Sequence, residues 1–309
     1  MATVAKTHSA THRATLGRES VREALVGYAF VALPIASFLI FFMYPLANAF
    51  YISYFDWGAL GKIESVGLGN YRDLLDDFLF GKALRNTLYY AAVVVPAQIA
   101  LGLGLAVIVN QALRFRTFFR AAFYFPSIAG SIAITAVAAY ILSADGLLNA
   151  GISAISGDEY NRPWFGQSDT ALESIMALNV WTTSGTMMLF YLASLQSIPT
   201  DVYEAAAIDG AGPWRTFWKI TFPLLKPGHF FVAVVSVIGA LQVFDQAFFI
   251  SAGSGGPNYS TMTIVLYLYN TAIEGARFGY ASAIGIILFA IIFTLTLIQR
   301  LLFGRAEVA

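Results

Sequence analysis

Three polar residues sit together inside a strongly apolar run: Gln242, Asp245 and Gln246 in ALQVFDQAFFIS. On a continuous helix residues 242 and 246 are one turn apart and 245 lies beside them, so all three share a face. Polar groups in an apolar span are costly and therefore functional candidates. Two amides, a carboxylate and the nearby Phe244 and Phe248 suit a ligand with hydroxyls and apolar ring faces, as a sugar has. The competing reading is hydrogen bonding between helices or to a second protein. Asn179, in MALNVWTTSGTM, is a further candidate. Its neighbours Thr182, Thr183 and Ser184 are weaker ones, because such hydroxyls usually bond their own helix carbonyls. Tyr140 and Asp145, with Ser143 and Asn149, end another apolar run, where they either line a pathway or form an ordinary loop.

These groups do not make a catalytic set. The chain has no cysteine and 3 histidines (His8, His12 and His229), scattered along it. That excludes thiolate chemistry and leaves too few ligands for a histidine metal site. Without paired carboxylates inside the apolar runs, a membrane enzyme is the poorest reading. No G-x-x-x-x-G-K-[ST] phosphate loop occurs, so the chain does not bind ATP in that manner. LGLGLA (101–106) lies within an apolar run and reads as close helix packing.

Composition sets the frame for these residues. Of 309 residues, 58% are hydrophobic and 12% charged, half the charge of an ordinary soluble domain. The expected class is an all-α polytopic membrane protein. Net charge is +0, which gives nucleic acid nothing to bind. Runs at about 25–50, 87–110, 117–143, 171–195, 229–251 and 279–303 are each long enough to cross a bilayer, giving six transmembrane helices. The apolar segment 262–273 is too short to span and is expected at the membrane surface or against the bundle. Residues 1–23 are expected as a mobile cytoplasmic tail, 24–304 as the transmembrane domain and 305–309 as a second tail. The first apolar run is too long for a signal peptide and contains Pro34 and Pro45, so it is expected to remain as a helix. Asp76-Asp77 is expected in a solvated loop. With the N-terminus inside, 12 of the 18 lysines and arginines fall on the cytoplasmic side, so both termini are expected there.

One cytoplasmic connection breaks the pattern: EAAAIDGAGPWRTFWKITFPLLKP (204–227). Thr200 offers a helix N-cap, with Asp201 and Glu204 following in the first turn, where negative charge suits the helix dipole. Gly210 and Gly212 end that helix, Pro213 opens a second, and Pro223 and Pro227 are expected to end it. A basic amphipathic loop can rest on anionic lipid. An acid followed by alanines and a glycine turn favours close docking against another protein.

This segment resembles the EAA loop (200–227) of permease subunits of bacterial ABC importers. Glu204-Ala205-Ala206, Asp209-Gly210-Ala211 and Ile220-Thr221-Phe222-Pro223 carry the likeness, with Phe222 where the pattern has Leu. NTLYYAAVVVPAQIALGLGLA (86–106), RAAFYFPSIAG (120–130), PWFGQSDTAL (163–172), SAGSGGPNYST (251–261) and FGYASAIG (278–285) extend it. The set is similar to the sugar-importing branch, among subunits like the maltose permease MalF, without MalF's large insertion and extra N-terminal spans. The resemblance implies a type I importer permease fold in the bacterial inner membrane, and no enzyme activity in this chain. It implies a second permease as heterodimer partner, two copies of an ATPase subunit that carry ATP and magnesium, and an extracytoplasmic sugar-binding protein. It further implies that Glu204 contacts the ATPase, that Ala205 and Ala206 fill its groove beside Asp209, and that Gly210 sets the turn. Gln242, Asp245 and Gln246 would line the sugar site. An ion-coupled secondary transporter is the alternative, but no internal repeat supports it. A glycerol-phosphate-type substrate would want intramembrane cations, and the spans hold almost none.

Overall fold

A computed structural model describes residues 7–111 and 114–303, with side chains described from residue 23 onward. Residues 1–6 of the first expected tail and all of the second, 305–309, lie outside the described residues, as does residue 304. Two compact units divide the chain, 1–52 and 53–309.

The first unit is α1 (Thr7–Phe38), a π turn (Leu39–Met43) and α2 (Tyr44–Ile52). Its backbone is helical from Thr7, inside the segment expected as a mobile tail. From Leu25 to Tyr51 its large apolar side chains are mostly exposed, as suits a helix in hydrocarbon.

The second unit opens with an antiparallel hairpin, β1 (Phe55–Gly58) and β2 (Gly61–Ser65), the sole sheet among the described residues. Every regular element described after it is helical. α3 (Gly69–Asp76) leads into α4 (Phe78–Asn110), then α5 (Arg116–Ile128), α6 (Ser131–Ile141) and α7 (Leu147–Ser156). α8 (Ala171–Gln196), α9 (Thr200–Ile208), α10 (Pro213–Thr216), a π turn (Phe217–Thr221) and α11 (Phe222–Leu224) follow. The chain closes with α12 (Lys226–Leu241), α13 (Asp245–Ser251), α14 (Ile264–Tyr269) and α15 (Phe278–Phe303).

All six expected spans are helical. Glu23–Ile52, Phe78–Asn110, Lys226–Ser251 and Phe278–Phe303 are long and apolar enough to cross a membrane, and the α5–α6 pair, bent by 94°, makes a fifth when its two helices are taken as one span. α8, with 26 residues, has the length but is more polar, because protein rather than lipid surrounds it. Along α8, Ile175, Met188 and Tyr191 are fully buried. It packs most extensively on α4, where a Cβ at Gly102 would stand 2.6 Å from Met187 Cβ. Gly102 of LGLGLA is therefore a close-packing glycine, whereas Gly104 is exposed, with nothing within 4 Å of a Cβ there. Ile264 and Leu266 of α14 join the core with Phe80, Leu241 and Ile284, which places the 262–273 segment against the bundle.

Asp77 is not a solvated loop residue. It caps α4, its Oδ1 accepting from the amides of Leu79 (2.8 Å) and Phe80 (3.2 Å). Its Oδ2 accepts from the hydroxyls of Tyr280 (2.6 Å) and Tyr267. Burial raises the carboxyl, but these hydrogen bonds outweigh it and hold the group below its ordinary value. Tyr267 is pushed up to about 12 by burial and by Asp77.

Candidate functional site

A cavity of about 370 Å³ opens where α5, α6, α8, α12 and α13 converge. Its wall includes Asn179, Thr182 and Thr183 from α8 and Gln242, Asp245 and Gln246 from the end of the fifth span. The sequence placed those last three on one helical face. The structure joins them differently: α12 stops at Leu241 and α13 starts at Asp245, so Gln242, Val243 and Phe244 form a break. Helical spacing therefore does not explain their proximity. The freed Val243 carbonyl accepts from buried Thr263 Oγ1 at 2.9 Å, which makes a non-helical backbone tolerable inside the bundle.

A second interruption faces the first. Ala129 and Gly130 separate α5 from α6, and Pro126, Ser127, Ala129 and Ser131 line the same cavity. Broken spans meeting near mid-membrane are a common way to build a transport site, since they expose backbone groups and helix ends. The wall carries hydroxyls, amides, one carboxylate and no cation, a chemistry for neutral hydroxylated ligands.

Asn179 is positioned from both sides. Gln98 Nε2 on α4 donates to Asn179 Oδ1 at 2.9 Å, and Asn179 Nδ2 donates to Gln246 Oε1 at 3.5 Å. Thr182 and Thr183 donate to the Asn179 carbonyl and Ser184 to that of Trp181, as expected of hydroxyls in a span. Gln98 was missed in the sequence, where it is one amide in a long apolar run. Its position between Pro96 and Gly102 was the available signal. Tyr140 and Asp145 are exposed and lie outside the cavity wall. Asn149, a pathway candidate, is structural. Its Nδ2 donates to the carbonyls of Ser143, Ala144 and Arg162, and its Oδ1 accepts from Trp164 Nε1.

The elbow expected over residues 200–227 has its own geometry. α9 begins at Thr200, so Pro199 occupies the cap position and no side chain caps the helix. Thr200 is one residue too late for the expected role. At the other end, Gly210 N–H bonds the Ala207 carbonyl (3.1 Å) and Ala211 N–H that of Ala206 (2.9 Å). This is a Schellman closure, and Gly210 takes its left-handed conformation at φ +71. Glu204, Ala205 and Asp209 are exposed, whereas Ala206 is only 5% exposed. Ala206 packs on its own chain and cannot enter a partner's groove. Ile208, 87% exposed, stands on the outward face with Glu204 and Ala205.

Pro223 does not end the second helix of the elbow. It sits in the first turn of α11, after the π turn, and the break comes at Leu225, with Pro227 opening α12. His229 closes the elbow onto α8. The Phe222 carbonyl can only accept, so His229 Nε2–H donates to it at 3.2 Å and Nδ1 accepts from buried Tyr191 at 2.9 Å.

Residues 98–308 match the family described as binding-protein-dependent transport system inner membrane component. The chain belongs to this family. Among its relatives is a probable ABC transporter permease protein, YesP of Bacillus subtilis, 34% identical over 90% of each chain. The multiple sugar-binding transport system permease protein MsmF of Streptococcus mutans is 32% identical, over 91% of this chain and 96% of MsmF. The lactose transport system permease protein LacF of Rhizobium radiobacter is 33% identical, over 93% and 97%. In fold, the chain matches a subunit of a bacterial ABC transporter that imports alginate, with a TM-score of 0.81 over 95% of this chain at 23% identity. A family permease is a transport subunit and not an enzyme. It has the type I importer permease fold.

Proposed function

We propose that this permease forms half of the translocation pathway of an ATP-driven importer of neutral sugars. The observation that carries the substrate class is the cavity wall of amides, hydroxyls and one carboxylate with no lysine or arginine. Phosphorylated or otherwise anionic ligands would find Asp245 and no cation there. Relatives described as multiple-sugar and lactose permeases support the same class. The expected assembly holds a second permease, two ATPase subunits that bind ATP and magnesium, and an extracytoplasmic sugar-binding protein. The exposed face of α9 docks the ATPase, and closure of the ATPases tilts α8 through the Tyr191–His229–Phe222 link, opening the cavity to the other side. The subunit lies in the bacterial cytoplasmic membrane with both termini inside.

Reconstitution with a second permease, an ATPase and a binding protein tests this. Binding-protein-dependent ATP hydrolysis should respond to a neutral sugar. A response to amino acids alone would sink the substrate class, and uptake driven by an ion gradient without ATP would sink the mechanism.

A further inference from the structure

Gln98 stands behind the cavity wall, 3% exposed, and its hydrogen bonds have a direction. Its Nε2 donates to Asn179 Oδ1 at 2.9 Å and to Thr183 Oγ1 at 2.6 Å. The Thr183 proton is committed to the Asn179 backbone carbonyl at 2.6 Å. Thr183 therefore offers Gln98 only an acceptor, and Gln98 must turn its NH2 toward α8. Asn179 Oδ1 is thereby occupied, and its Nδ2 points at Gln246 Oε1 across 3.5 Å, the longest link. Reversing every amide gives another closed chain, with Thr183 donating to Gln98 Oε1. That reversed chain would strand both buried Gln98 N–H donors, whereas the observed one strands only Gln98 Oε1. Buried orphan donors are rarer than under-satisfied carbonyls.

We infer that Gln98 and Thr183 are positioning residues that fix the hydrogen-bonding polarity of the cavity. Asn179 and Gln246 then face it as donors and Asp245 as an acceptor. The inference rests on the proposed sugar site and narrows it. The preferred sugar places an oxygen lone pair at Asn179 and Gln246 and a hydroxyl proton at Asp245.

The test uses the assembled transporter in nanodiscs, trapped with a non-hydrolysable ATP analogue. Dissociation constants are measured for a panel of neutral di- and trisaccharides, then for monodeoxy and monodeoxyfluoro analogues of the sugar that binds. Fluorine accepts a hydrogen bond weakly and donates none. At the hydroxyl meeting Asn179 and Gln246, the unaltered protein should tolerate fluorine better than hydrogen. Gln98→Met, similar in volume, should abolish that preference and weaken the parent sugar roughly tenfold. Thr183→Val should act in the same direction. If Gln98→Met weakens all analogues by one factor and keeps the preference, or changes nothing, the polarity assignment is overturned. If no neutral sugar binds the unaltered protein, the sugar reading fails first and the inference falls with it.

Discussion

Asp245 and Asn179 differ in how much of their bonding capacity the protein already uses. Asn179 Oδ1 is taken by Gln98, but one Nδ2 proton is free, and Asp245 at the cavity mouth is exposed. Asn179→Ala should weaken sugar binding roughly tenfold, because it removes a donor and one of the two acceptors of Gln98 together. Asp245→Asn keeps the volume and should cost roughly three- to tenfold, read as a dissociation constant in the reconstituted complex. The candidates legible in the sequence were those whose polarity stood out locally. Gln98 did not, because its importance comes from α8, some 81 positions away in the chain. Asp77 was misread for the same reason, since Tyr267 and Tyr280 reach it from 190 and 203 positions away. Its carboxyl lies below its ordinary value, so its contribution is full above about pH 4 and is lost as pH falls through the lowered value. Thermal unfolding of the complex should be insensitive to this group between pH 5 and 8. Asp77→Asn should remove about 1–2 kcal/mol across that range and abolish its acid-side loss.

The elements show where local pattern was enough and where it was not. The end of α9 and the start of α10 follow from Asp209-Gly210, Gly212 and Pro213, because caps are local chemistry. The 242–244 break has no glycine or proline within it. Its freed carbonyl is satisfied by Thr263, 20 residues on, so periodicity alone extends the helix through it. Thr263→Val removes that donor and also the cap of α14, where Thr263 Oγ1 accepts from Leu266 N. It should destabilise the protein by about 1–3 kcal/mol and lower sugar affinity by loosening Gln242 and Asp245, measured as Tm and a dissociation constant. Gly210 separates conformation from docking. A Cβ there would meet nothing within 4 Å, so Gly210→Ala carries only the left-handed backbone cost of about 1–2 kcal/mol. Gly210→Trp adds bulk on the exposed side of α9. Sugar uptake per ATP hydrolysed should be nearly retained in the alanine variant and collapse in the tryptophan variant. Equal loss in both would mean that the turn itself, and not a docked partner, sets coupling.

At the scale of the whole molecule, hydropathy identified the six helical spans, since the bilayer demands about 20 apolar residues of any helix in contact with lipid. α8 stands apart from the others in being more polar, and it is the helix most enclosed by protein, but enclosure itself is a property of packing that hydropathy does not specify. Charge distribution carries the proposed orientation, which would put 12 of the 18 cations inside and 6 outside. The absence of cysteine from the 309 residues makes this directly testable, because any introduced thiol is the only one in this subunit. Ile208 on α9, Leu60 in the hairpin turn and Ile155 on α7 are 87%, 104% and 91% exposed, so each accepts a label without disturbing the core. In intact cells, an impermeant maleimide should label Leu60→Cys and Ile155→Cys and spare Ile208→Cys. In inside-out vesicles the pattern should reverse, and Ile208→Cys should lose reactivity when the ATPase is present, because the same face of α9 is the proposed docking surface. Labelling of Ile208→Cys from outside would invert the topology and remove the elbow from reach of any cytoplasmic ATPase. Labelling from inside that the ATPase does not protect would leave the topology standing and place the docking contact elsewhere.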